Sequence, residues 1–197
     1  MPTLIVATGN PGKVREFDRF FSTLSERESR WQLRAKPADL EIEETGTTFA
    51  ENALQKAQGV AIATQQWAIA DDSGLAVNAL NGAPGVYSAR YADTDSARIA
   101  RLLNELAGVD DREAEFACAI ALCDPQGKAV ARVEDRCPGV ILHKAQGSGG
   151  FGYDPIFYVP EAQLSFAEMS LAQKQQWGHR GRALRSLQQQ LQQLDLA

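Results

Sequence analysis

The sequence predicts an α/β or α+β fold built on a mixed β-sheet with flanking helices. Two observations predict it. The chain opens on a short apolar strand, a glycine-rich turn and an amphipathic helix, the unit from which parallel strand pairs are made. Further on, apolar runs at 114–123 and 128–134 flank Asp124-Pro125-Gln126-Gly127, a hairpin signal that adds antiparallel pairing.

The elements follow in order. Residues 3–7 form the first strand, closed by the turn Thr8-Gly9-Asn10-Pro11-Gly12. Val14, Phe17, Phe21 and Leu24 then recur at helical spacing with charges between them. A second strand is expected over 31–36 and an acidic loop over 41–47. Thr48-x-x-Glu51 is a capping box that opens a helix reaching about residue 64. Residues 67–71 and 75–80 read as two strands, the second ending at Asn81-Gly82. After a loop over 82–95, Ser96 caps a helix with Ile99, Leu102, Leu103 and Leu106 inward and Gly108 past its end. A glycine-dense loop at 147–152 precedes a short strand over 155–159, and Ser165-x-x-Glu168 repeats the capping-box pattern. From Arg182 onward, Leu184, Leu187, Leu191 and Leu194 stripe a final amphipathic helix whose glutamines form its solvated face.

The bulk properties bound the function. A length of 197 residues suits one domain over 1–197. No apolar run approaches the roughly 18 residues of a membrane span, and Leu4-Ile5-Val6 is too short for a signal peptide. A net charge of −5 argues against a general nucleic-acid binder while leaving room for one small anionic ligand. The three cysteines form no CxxC pair, which argues against a disulfide framework or zinc site and points to a reducing cytoplasm.

Four separated segments carry candidate chemistry. Thr8, Gly9, Asn10, Pro11 and Gly12 place backbone N–H groups and a helix N-terminus where an anion can sit, and Lys13 stands where a helix does not favour a cation. This is not a Walker A loop, which needs Gly at Ala7 and Ser or Thr at Val14. Read alone, it is equally an ordinary β-α turn with a surface lysine. Asp71 and Asp72 end an apolar strand, so alternation sends them to opposite sides and only one enters a given pocket. A carboxylate there can hold Mg²⁺ or take a proton from water, and Asp-Ser-Gly is also plain turn chemistry. Glu43 and Glu44 offer a second metal carboxylate, or a solvated acidic loop, and Lys56 lies within the capped helix.

Phe151, Gly152, Tyr153 and Asp154 offer an aromatic face for a base and a carboxylate acceptor, although most aromatics are core. Lys174, His179 and Arg180 add cations, arginine being suited to forked bonds with phosphate or a keto oxygen. His143 has no motif partner. Together these parts are the inventory for handling a nucleoside triphosphate.

From Leu4 to about Leu187 the chain closely resembles the inosine triphosphatases, also called dITP/XTP pyrophosphatases. The matching stretches are Ala7-Thr8-Gly9-Asn10 with Lys13, Glu44-Thr45-Gly46 with Phe49-Ala50-Glu51-Asn52-Ala53 and Lys56, and Ala70-Asp71-Asp72-Ser73-Gly74-Leu75. Also matching are the run from Gly82 to Tyr91, the run from Gly149 to Phe157, and His179-Arg180-Gly181. The resemblance implies a mixed-sheet α/β fold, two lobes around a central nucleotide cleft, a homodimer, and Mg²⁺-dependent hydrolysis of ITP, dITP and XTP to monophosphate and pyrophosphate. By position it implies that Thr8 to Lys13 and Lys56 hold the triphosphate and that Asp72 is the general base and a metal-linked carboxylate. It implies Glu44 as metal ligand, with Glu43 the off-by-one alternative. Ser73, Phe151 to Asp154, Lys174, His179 and Arg180 would bind the nucleotide. Where the family usually has Ser-His-Arg, this chain has Gly178-His179-Arg180. A lost hydroxyl bond is worth about 0.5–1.5 kcal/mol, roughly 2- to 12-fold in affinity.

Two rival readings remain at this level. One is a nucleotide sensor without catalysis, against which the Lys13, Glu44, Lys56 and Asp72 set speaks. The other is a related hydrolase of modified pyrimidine triphosphates, against which the Phe151 to Asp154 and His179-Arg180 segments speak.

Overall fold

The computed structural model describes residues 2–24 and 31–193. Among the described residues, seven strands form one mixed sheet in the order β2-β1-β3-β4-β5-β6-β7. β1 (Thr3–Val6) lies parallel to β2 (Gln32–Ala35) on one side and to β3 (Trp67–Val77) on the other, with Val6 opposite Ala35 and Ile69. β4 (Glu113–Cys123) and β5 (Ala129–Ile141) meet at the expected turn, where Gly127 N–H donates to the Asp124 carbonyl at 2.9 Å. β5, β6 (Phe157–Val159) and β7 (Leu164–Ser165) pair antiparallel.

The chain divides into two compact units. The first comprises 1–72, 118–135 and 183–197; the second comprises 73–117 and 136–182. β3, β4 and β5 each pass from one unit into the other, and on β3 the boundary falls between Asp72 and Ser73.

In the first unit, strand alternation sorts β3 onto two cores. Ile69 joins Leu4, Val6 and Cys118 beneath α1 (Pro11–Ser22), which contributes Phe17, Phe20 and Phe21, and α5 (His179–Gln193), which contributes Ala183, Leu184 and Leu187. Ala68 and Ala70 join Ile5 and Ala7 beneath α2 (Phe49–Thr64), through Ala53, Ala57, Val60 and Ala61. Small residues on both sides of that second contact let the helix lie close to the sheet. α2 starts at the expected capping box, with Thr48 and Glu51 bonded reciprocally.

In the second unit, α3 (Asp95–Glu105) packs Leu102 into a core with Leu75, Val77, Phe116, Phe157 and Phe166. α4 (Leu171–Trp177) carries its own capping box, Ser170 with Gln173.

Several expectations change. Residues 67–77 are one strand, not two, because Leu75 N–H is held by Ser88 Oγ at 2.9 Å and Leu75 and Val77 are buried. Residues 78–80 and 85–90 are short 3₁₀ turns. The α3 cap is Thr94, whose Oγ1 accepts from Ala97 N–H, not Ser96. β5 runs on to Ile141 through Pro138, since Cys137 and Ile141 are buried and Gly139 leaves the space into which Phe157 packs. Residues 154–156 form a 3₁₀ turn ahead of β6. The reciprocal bonds of Ser165 and Glu168 form, at 2.8 and 3.3 Å, but no helix starts there. Instead Phe166 and Ala167 N–H groups donate to Phe157 and Asp154. α5 begins at His179, three residues early, and its expected Leu194 lies outside the described residues.

Phe17, on the inner face of α1, is fully buried. Phe17→Ala is expected to lower unfolding free energy by about 3–5 kcal/mol, measured by urea denaturation.

Candidate active site

Asp71 and Asp72 take opposite faces of β3, as alternation requires. Asp71 lies on the α1 side, where Lys13 Nζ reaches its Oδ2 at 3.0 Å and Cys118 Sγ approaches at 4.0 Å. Asp72 lies on the α2 side. Asn52 Nδ2 donates to its Oδ2 at 3.0 Å, and Lys56 Nζ stands 3.6 Å from its Oδ1. Asn52 and Lys56 are four residues apart, hence on one face of α2.

The glycine-rich turn differs in detail from the expected cradle. Asn10 caps α1, its Oδ1 accepting from Gly12 N–H at 2.8 Å and Lys13 N–H at 3.3 Å. Two of the amides expected to face an anion are therefore already engaged. Thr8 Oγ1 accepts from Asn10 N–H at 3.1 Å, and Pro11 opens the helix, where its missing N–H costs nothing. The anion that accounts for a lysine at this helix start is Asp71.

The acidic loop is clasped to the first turn of α2. Gly46 N–H donates to Asn52 Oδ1 at 2.8 Å, Thr45 exchanges two bonds with Gln55, and Glu51 accepts from Thr47 and Thr48. A Cβ on Gly46 would stand 2.6 Å from Glu51 Cβ and 2.7 Å from Asn52 Oδ1, so only glycine permits this approach. The clasp delivers Glu44 Oε1 to 3.1 Å from Lys56 Nζ. Glu43, the neighbour in sequence, is exposed.

Lys56 thus serves two carboxylates. Burial raises the Asp72 carboxyl above the usual carboxylate range, against the pull of Lys56, Lys13 and Asn52. Burial works to lower the Lys56 ammonium, but Asp72, Asp71 and Glu44 outweigh it and hold the group above its ordinary 10.5. Among the described residues no cluster of three or more His, Cys, Asp or Glu forms a metal cage. Glu44 and Asp72 on one ammonium are instead the two-carboxylate arrangement that suits Mg²⁺, which takes few protein ligands and completes its shell with water and phosphate.

In the second unit, Lys174 Nζ and Asp154 Oδ2 form a buried pair at 2.8 Å, and the same oxygen accepts from Phe151 N–H at 2.8 Å. The ammonium also sits 4.9 Å above the Phe151 ring. Gly150 makes this possible, since a Cβ there would fall 1.9 Å from Asp154 Oδ2. Gly152 N–H donates to Asp95 Oδ2 at 2.7 Å. The Tyr153 ring is core, 3% exposed, with its hydroxyl donating to the Ser88 carbonyl. Phe151, by contrast, is half-buried, and Asp154 holds Lys174 and the loop.

His179 stacks on Phe116 at 4.7 Å and an interplanar angle of 11°. Arg180 is 2% exposed and donates from Nη2 to Ser73 Oγ at 2.9 Å. Both point inward because α4 and α5 meet at two glycines. A Cβ at Gly181 would fall 2.0 Å from the Gln175 carbonyl oxygen, and one at Gly178 would fall 2.6 Å from that of Lys174. A serine at 178 would require this junction to open.

The structure therefore gathers the expected residues into two groups. Lys13, Glu44, Lys56 and Asp72 belong to the first unit; Ser73, Phe151 to Asp154, Lys174, His179 and Arg180 belong to the second. Asn52, which bonds both Gly46 and Asp72, lies outside the candidate site residues that the sequence singles out, although an asparagine one turn before Lys56 is a readable signal.

Residues 4–190 match the model of the Ham1 family. The chain belongs to the Ham1 family. It is 55% identical to the dITP/XTP pyrophosphatase of Nostoc sp. (strain PCC 7120), covering 93% of this chain and 91% of that protein. It is 51% identical to the protein of the same name from Thermosynechococcus vestitus, covering 99% and 100%. The Ham1 protein of Coxiella burnetii superposes with a TM-score of 0.86 at 39% identity, covering 98% and 100%. That of Staphylococcus aureus gives 0.83 at 40% identity, covering 96% and 98%.

Two consequences follow for this Ham1 chain. Asp154→Asn leaves the Lys174 ammonium buried without its carboxylate, and is expected to cost about 3–5 kcal/mol in urea denaturation. Lys56 has a folded pKa above its unfolded value, so its stabilisation is complete below 10.5 and is lost as pH rises through the folded value. The stability gap between wild type and Lys56→Met should therefore narrow on raising the pH above about 10.5 in parallel urea titrations.

Proposed function

We propose that this protein hydrolyses inosine- and xanthosine-type purine nucleoside triphosphates (ITP, dITP and XTP) to the monophosphate and pyrophosphate, clearing them from the nucleotide pool. The observation that carries the reading is Asp72. It is a buried carboxylate on a sheet strand, oriented by Asn52 and flanked by Lys56 and Glu44. A protein that only binds nucleotide has no use for a base held this way. Membership in the Ham1 family and the names of its relatives support the same chemistry.

In this reading the ionised Asp72 accepts a proton from the water that attacks the α-phosphorus. Lys13 and Lys56 neutralise charge on the phosphates and on the departing pyrophosphate. Glu44 and Asp72 would hold Mg²⁺, which supplies polarisation of the phosphoryl oxygens and relieves carboxylate–phosphate repulsion, about 4 kcal/mol per pair near 4 Å at an effective dielectric of 20. Phe151 offers its face to the base. Arg180, set beside Ser73, supplies a donor for the 6-keto oxygen of hypoxanthine or xanthine, where adenine presents an amino group and leaves that donor unsatisfied.

The net charge of −5 favours a small nucleotide over nucleic acid. Among the described residues no helix is long and apolar enough to cross a membrane. All three cysteines are free and buried, in keeping with a reducing cytoplasmic setting. A homodimer is part of the same reading, and light scattering on the purified protein tests it.

Separate incubations with Mg²⁺ and ITP, dITP, XTP, GTP, ATP or dUTP, resolved by chromatography, test the activity. Monophosphate and pyrophosphate are expected from the first three, with little turnover of ATP or GTP. A diphosphate with orthophosphate would place attack on another phosphorus. Asp72→Asn should still bind ITP in calorimetry and lose most turnover; near-wild-type turnover would remove Asp72 from the role of base.

A further inference from the structure

We propose that Asn52 is a positioning residue for this hydrolysis: its amide ties the Glu44 loop and the Asp72 carboxylate into one rigid arrangement. The inference rests on Asp72 and Glu44 acting as proposed above.

Asn52 has no exposed surface, unusual for an asparagine in the first turns of a helix. Both ends of its amide are used. Oδ1 accepts from Gly46 N–H at 2.8 Å, and Nδ2 donates to Asp72 Oδ2 at 3.0 Å. The backbone N–H and the carboxylate together settle which end of the amide faces which partner, because a backbone N–H needs an acceptor and an ionised carboxylate needs a donor. The amide therefore cannot turn over without losing both bonds.

This geometry links the two acidic groups by a path separate from Lys56. Gly46 lies two residues after Glu44, so fixing its amide fixes the loop that carries Glu44. The same side chain sets the rotation of the Asp72 carboxylate, pinning Oδ2 and leaving Oδ1 beside Lys56. Lys56 attracts both carboxylates but, with three equivalent donors on a flexible stem, imposes no orientation. Asn52, short and buried, does.

A hydrogen bond to a charged group, lost here, corresponds to about a 10- to 100-fold change in rate when it acts in the transition state. Asn52→Asp keeps an acceptor for Gly46 N–H and sets a carboxylate oxygen against Asp72. Gly46→Ala attacks the bridge from its other end, through the close approach of its Cβ to Asn52 Oδ1. Steady-state kinetics with ITP and Mg²⁺ on wild type, both variants and their combination form the test, with thermal melts checking that each folds. The expected result is kcat reduced about 10- to 100-fold in each single variant, KM within about threefold of wild type, and a combination no slower than about the worse single. Wild-type kcat in Asn52→Asp, a change confined to KM, or losses that multiply would overturn the proposal. If Asn52→Asp does not fold, Gly46→Ala decides alone: wild-type kcat there overturns it and a selective loss of kcat supports it. Failure of the wild type to release pyrophosphate would instead sink the underlying reading.

Discussion

Two adjacent carboxylates in the middle of a buried strand are the constraint on which the rest of the first unit depends. Asp71 has no exposed surface and Asp72 only 7%. Taking such charges out of water costs several kcal/mol each unless cations and donors answer them. Strand alternation forbids one cation from answering both by direct contact. The chain therefore needs two helices, one on each face of the sheet, each delivering a lysine: α1 brings Lys13 to Asp71, and α2 brings Lys56 to Asp72. The two apolar cores that seat these helices are what make the ion pairs geometrically possible. The residues that solve the burial problem are the ones to which the proposed function assigns the phosphates.

Close backbone approach is the second theme. Gly46, Gly150, Gly178 and Gly181 each stand where a Cβ would press within 3 Å of a neighbouring atom. Each one brings a candidate site residue to its place: Gly46 the Glu44 loop, Gly150 the Asp154–Lys174 pair, and Gly178 with Gly181 the inward turn of His179 and Arg180. None is needed for a left-handed backbone except Gly150, at φ 76°. Their common requirement is space.

Much of this was legible from residue pattern. The first strand, the turn, the Thr48 capping box and the 124–127 hairpin rest on local chemistry, and local chemistry decided them. The failures have local causes too. Asp-Ser-Gly at 72–74 reads as a turn, yet β3 runs through it because Ser88 and the core claim Leu75. Ser165 and Glu168 make their capping bonds, yet the backbone after them is drawn to Phe157 and Asp154. Glycines beside a phosphate-like turn suggested open amides, but Asn10 had taken two of them.

Residue order alone set which side chains were available and parted Asp71 from Asp72 across a strand. It also carried the family resemblance, since motif order is a property of the chain. Which side chains meet was left to packing between distant parts of the chain. Glu44 rather than Glu43 reaches Lys56 because Gly46 clasps α2. Phe151 rather than Tyr153 is left half-buried because the Tyr153 hydroxyl is claimed by Ser88. Such choices turn on contacts between residues distant in sequence, where a shift of one position along a loop or strand exchanges a buried partner for solvent.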